Sequence, residues 1–125
     1  MDYYDANDKC KELIAEWLTE DKMIDLNKVT FKGFADLDFG VAGKCLGYKD
    51  GKSEILISYK LIGHDAFMEA VLWHEYCHSY TWYNYHTMNH DSDYHKKKFS
   101  KPILAILDVI SAFAFNFMGG KNEDI

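Results

Sequence analysis

An α+β fold is what this sequence predicts, and three observations predict it. A helical apolar period lies near the N-terminus, a glycine-punctuated stretch rich in β-branched and aromatic residues follows, and a long helical run comes next that is apolar on nearly every side. With 125 residues, 48 % of them hydrophobic and 16 % aromatic, the chain has material for one core, so residues 1–125 are read as a single domain.

The elements follow in order. Cys10, Leu13, Ile14, Trp17 and Leu18 keep the i, i+3, i+4, i+7, i+8 spacing of an amphipathic helix, placed over residues 7–20. From Lys28 to Tyr59 the runs shorten and are broken by Gly33, Gly40, Gly43, Gly47 and the Asp50-Gly51 turn signal. That turn joins Lys44–Tyr48 to Ser53–Tyr59 as a hairpin, and a small antiparallel sheet is expected. After Gly63, Asp65 is placed to cap a helix through "AFMEAVLWHEYCHSYTWYN". Phe67, Met68, Ala70, Val71, Leu72 and Trp73 leave it no polar face in its early turns, the mark of a helix sandwiched between layers. Asn84 to Asp93 reads as a loop, Tyr94 to Lys101 as a short helix, and Pro102 to Met118 as a last helix ended by Gly119-Gly120.

The formal charge of −6 and sequence pI near 5.4 argue against a surface built as a whole to neutralise phosphates. Cys10, Cys45 and Cys77 are odd in number, widely spaced and without a CxxC pair, as expected of free thiols in a reducing compartment. The opening "MDYYDANDKCKELI" lacks the basic-then-apolar order of a secretory signal. Pro102–Met118 is too short for a membrane span and carries Asp108, Ser111 and Asn116. A cytoplasmic protein that does not enter the membrane is expected.

Chemistry concentrates between Ala70 and Phe99, which hold His74, His78, His86, His90 and His95, five of the six histidines. "HEYCH", His74 to His78, is an HExxH motif. Residues four apart on a helix lie about 40° apart in azimuth and one turn apart in height, so both imidazoles can reach one ion. Zinc suits such donors, and a catalytic zinc takes three protein ligands and keeps a position for water. Glu75, beside the pair but not a ligand, is placed to take a proton from that water and pass it to a leaving amine. His74 and His78 also continue the inward stripe of Phe67, Ala70 and Val71, whereas solvated histidines belong on a polar face.

The third ligand is less determined. The metzincin spacing requires a histidine where Asn84 stands, and a thermolysin-like glutamate is missing, since the only later glutamate is Glu123 in a polar tail. His86, His90, Asp91, Asp93 and His95 remain. His86 falls near the end of the same helix, and His90 and Asp91 can fold back from the loop. His95 has the strongest context, because "HKKKFSK" can start a second helix that crosses the first.

With these residues in place the sequence resembles the SprT-like family of zinc metallopeptidases, which includes the Spartan and Wss1-type proteases. Members have an HExxH helix, a loop, and a histidine four positions before an aromatic, the interval from His95 to Phe99. They also have an N-terminal helix and a three-stranded sheet whose last strand resembles "EILISYKL". The resemblance runs from about Cys10 to Phe99. It implies a zincin-like minimal protease domain, with zinc on His74, His78 and His95 and with Glu75 as general base. Asp91 or His90 is the alternative third ligand, and an Asp at that distance suits a deuterolysin-like site. Lys96 replaces the glycine usual after the third ligand, and no zinc-ribbon pattern follows.

Other features carry ordinary readings beside functional ones. Lys96, Lys97 and Lys98 can guide an anionic substrate, but such a run is more often a solvated face. Tyr76, Tyr80, Tyr83, Tyr85 and Tyr94 surround the motif, and one of them could serve an oxyanion. Asp91 and Asp93 can hold a ligand's second ring N–H. Cys77 points away from the ion and His64 is read as a surface or capping residue. The leading expectation is therefore a zinc-dependent peptidase acting on protein or peptide. The competing one is a non-catalytic, zinc-stabilised adaptor, and DNA association is weakly supported by an acidic chain.

Overall fold

The computed structural model of the chain describes residues 3–21 and 25–89. They form helix α1 (Tyr3–Glu20), strands β1 (Val29–Ala35), β2 (Gly43–Gly47) and β3 (Ser53–Ser58), and helix α2 (Asp65–Tyr85), with single 3-10 turns at Leu26–Lys28 and Tyr59–Leu61. The expected helices at 94–101 and 102–118 lie outside the described residues.

Helix α1 begins at Tyr3 rather than at residue 7. Ala6 is fully buried and adds one more step to the apolar stripe of Cys10, Leu13, Ile14, Trp17 and Leu18. A single small residue four positions before Cys10 was too little signal to extend the helix from pattern alone.

The hairpin forms as expected. Strands β2 and β3 are antiparallel, with Gly43 opposite Ile57, Cys45 opposite Ile55 and Gly47 opposite Ser53. At its turn Gly51 takes φ +88°, a left-handed conformation that glycine adopts without a Cβ penalty. The sheet as a whole corrects the antiparallel expectation. Its order is β1-β3-β2, and β1 pairs with β3 in parallel. Antiparallel pairing assumes that consecutive strands are neighbours. Here the connection over residues 36–42 carries the chain past the central position, which β3 then fills.

Residues opposed in the ladders share a face, so Val29 and Phe31, Ser53, Ile55 and Ile57, and Gly43, Cys45 and Gly47 all lie on one side of the sheet. Both helices pack on that side, α1 against β1 and α2 across β3 and β2. They meet through rings: Trp17 stands edge-on to Trp73 at 5.0 Å, and Trp73 stacks on Tyr76 at 5.6 Å. The result is a two-layer core in which Met68, Val71, Leu72, Trp73 and Tyr76 of α2 are buried.

Helix α2 starts at Asp65, the expected cap itself, so its N-cap falls one residue earlier. His64, exposed, occupies the N-cap without a side-chain capping bond, and Asp65 becomes the first-turn acid that complements the helix dipole. The helix ends at Tyr85. His86 turns left-handed (φ 54°, ψ 40°) and donates its N–H to the Trp82 carbonyl at 2.9 Å.

Small residues set how closely α2 approaches β2. A Cβ on Gly47 would stand 2.6 Å from Trp82 Cε2 and 2.8 Å from its Nε1. The indole is held there, because its Nε1–H donates to the Tyr48 carbonyl at 2.8 Å. Gly47→Ala is therefore expected to lower the unfolding free energy by about 1–3 kcal/mol, read as a fall in the urea midpoint. An unchanged midpoint would show that the indole moves aside freely.

Candidate metal centre

At about 100° per residue, Val71, Glu75, Ser79 and Trp82 form one stripe along α2, and this stripe lies on β2. The pairing has a register. Gly43 faces Val71 and Glu75, the Cys45 thiol is 3.3 Å from the Ser79 hydroxyl, and Gly47 faces Trp82. Four strand residues rise about 13 Å and seven helical residues about 10 Å, so strand and helix can stay in step over this length. The seam is fastened by the Ser53 hydroxyl, which donates to Ser79 Oγ at 2.7 Å inside the core.

His74 and His78 fall beside this stripe, on the side away from the Trp73 and Tyr76 rings that meet α1. Their ring centroids are 5.0 Å apart and the planes are inclined by 70°. Both are nearly inaccessible, at 3 % and 5 %, and Glu75 is at 1 %. Two buried imidazoles on successive turns with a carboxylate next to them match the donor chemistry of a zinc site. They fit such an ion as two of its ligands. Among the described residues no group of three or more His, Cys, Asp or Glu side chains converges to hold one.

Of the sequence candidates, His86 is described at the end of α2, where its ring packs on Trp82 at 5.5 Å. His90, Asp91, Asp93 and His95 lie outside the described residues, as do Tyr94 and Lys96 to Lys98. The described tyrosines have other engagements. Tyr76 donates to the Asp21 carboxylate at 3.4 Å, so its hydroxyl is drawn toward the end of α1. Burial, with Asp21 beside it, pushes that phenol well above its usual range. Tyr83 covers Gly51 in the hairpin turn, and Tyr80 and Tyr85 contact each other at 6.4 Å. Cys77 is fully buried, and all three cysteines are free.

Two parts of the site were not read from the sequence. One is the buried Ser53–Ser79–Cys45 chain. The other is Gly43, where a Cβ would stand 3.0 Å from Glu75 Cγ. The available signal was "GKCLG", in which alternate small residues mark a strand face approached by another element.

The SprT-like family matches this chain over residues 19–112, from the end of α1 through the HExxH helix and beyond. Most of α1 lies before the matched region, and the match continues past Phe99. No curated protein and no solved structure matches the sequence. Among the described residues no helix is long and apolar enough to cross a membrane.

Burial also governs the thiols. Cys45 is pushed up to about 12 by burial, and the nearby Glu75 charge adds to the rise while the Ser79 hydrogen bond opposes it. Cys10 is likewise pushed up to about 12 by burial, with Glu69 adding to it. Unfolded thiols ionise near 9.0, so above that pH the unfolded state loses protons that the folded state keeps. Stability is therefore expected to be intact below pH 9 and to decline as pH rises toward 12. Urea unfolding between pH 8 and 11 checks this, and a Cys10→Ala/Cys45→Ala variant should show the shallower decline.

Proposed function

This chain belongs to the SprT-like family, a family of metallopeptidase-like domains, and from that premise we propose that it is a zinc-dependent peptidase. The observation that carries the proposal is the buried Glu75 carboxylate beside the paired His74 and His78 imidazoles. A solvated carboxylate needs no such position.

In this reading His74 and His78 hold zinc through one ring nitrogen each. His95 completes the set, as the family resemblance implies, with Asp91 and His90 as alternatives. When bound, zinc supplies Lewis-acid activation of water and of the peptide carbonyl. Glu75 accepts the proton released as water attacks and returns it to the departing amine nitrogen. Burial keeps bulk water from competing for that proton.

The sheet supplies a place for the substrate backbone. The Ser58 N–H donates to the Ala42 carbonyl at 2.8 Å, which makes that pair hydrogen-bonded and the next pair, Gly43–Ile57, non-hydrogen-bonded. Gly43 and Cys45 therefore turn their peptide N–H and C=O groups away from β3. Among the described residues β2 is an edge strand, so those groups can pair with an extended peptide. Such a peptide would run alongside Glu75.

The purified protein is expected to carry one zinc per chain and to cleave an unstructured protein such as casein. Glu75→Gln should retain the metal and lose cleavage by about 100-fold or more. His74→Ala should lose both. Cleavage that survives in the Glu75→Gln protein would overturn the role of Glu75. Full zinc content with no cleavage by the unaltered chain would favour the adaptor reading instead.

A further inference from the structure

Gly43 has an ordinary extended backbone, unlike Gly33, Gly40, Gly51 and Gly63, which have positive φ. Conformational freedom therefore does not explain a glycine here. Space does. A Cβ on Gly43 would stand 2.8 Å from Val71 Cγ1, 3.0 Å from Glu75 Cγ and 3.1 Å from Glu75 Oε2, well inside the roughly 3.5–4.0 Å optimum for carbon contacts. The glycine is buried in the seam, and its strand is held in register beside β3, with Gly43 opposite Ile57.

We propose that Gly43 is a positioning residue for Glu75, its bare backbone setting where the carboxylate stands relative to the His74 and His78 imidazoles. The helix fixes Glu75 from behind through its Cα. In front, the strand leaves room for the side chain and no more. A methyl group at position 43 would push Cγ and Oε2 outward together. The consequence for catalysis rests on the peptidase reading above, whereas the contact itself does not.

A rival explanation is that Gly43 only makes room for Val71. The two are separable, because Val71→Ala removes the 2.8 Å conflict and leaves the conflict with Glu75. In the Val71→Ala background, Gly43→Ala is expected to keep one zinc per chain and the same urea midpoint. Its kcat should fall by up to roughly tenfold, because the 3.0 and 3.1 Å contacts ask for a shift of a few tenths of an ångström where about 1 Å can cost a hundredfold, with KM changed less than about twofold. In the metal-free protein the 13C resonance of the Glu75 carboxyl should move between Val71→Ala and the double variant.

Equal kcat and an unmoved Glu75 resonance would overturn the proposal and leave Gly43 as packing space for Val71. If no variant cleaves peptides, the unaltered chain included, the peptidase reading fails. The Glu75 resonance then decides by itself whether Gly43 sets the carboxylate.

Discussion

The rotation of α2 about its own axis is the constraint on which the site depends, and the seam with β2 fixes it. Three contacts along that seam, Gly43 with Glu75, Cys45 with Ser79 and Gly47 with Trp82, leave the helix one azimuth. The Trp82 indole reaches the Tyr48 carbonyl only because Gly47 has no side chain, and Ser79 reaches Ser53 across the sheet–helix gap. A slip of one residue in this register would turn the helix by about 100°. His74, Glu75 and His78 would then swing together toward the strand or under α1, and the carboxylate would leave its place opposite Gly43.

Holding five polar side chains inside one helix is unfavourable unless each is hydrogen-bonded or paired. His74, Glu75, His78, Ser79 and Thr81 are all buried, and burial of a polar group without compensation costs on the order of 1–3 kcal/mol by protein mutational data. The two hydroxyls have partners inside the protein. Ser79 joins the Ser53 and Cys45 chain, and the Thr81 hydroxyl lies within hydrogen-bond reach of the His78 and Thr87 carbonyls at 3.1 and 2.9 Å. Thr81 thereby ties the chain that leaves α2 to the turn that carries His78. On the far side of the helix Trp73 and Tyr76 pack with Trp17, and aromatic pairs add about 0.5–1.5 kcal/mol each beyond area burial. The aromatic side of α2 thus offsets the polarity of the other.

What the sequence revealed follows the range of its signals. The HExxH spacing is a statement about one helix, so it could be read without knowing what surrounds that helix. The hairpin was equally local, since Asp50-Gly51 and two short apolar runs specify it. The lateral order of the strands is not local: nothing in "VTFKGFA" says whether β1 will pair with β2 or with β3. Gly43 and Ser79 were missed for the same reason, because their meaning lies in the register between two elements. The cap of α2 shifted by one residue because Asp65 suits both an N-cap and a first-turn position. His95, Asp91 and His90 lie outside the described residues, so the reading of the third ligand rests on sequence.

The strand order that sequence reasoning missed bears directly on the chemistry. In an antiparallel meander, β2 would lie between β1 and β3, and the outward peptide groups of Gly43 and Cys45 would be taken up by β1. Because β3 fills the centre instead, those groups stay at the sheet's edge among the described residues, on the strand that touches Glu75. Exposed edges invite unwanted pairing, and this one is short, glycine-bounded and carries Lys44, devices that limit association between folded chains. The same two glycines that let α2 approach bound the strand whose outward groups, in the peptidase reading, take up the substrate backbone.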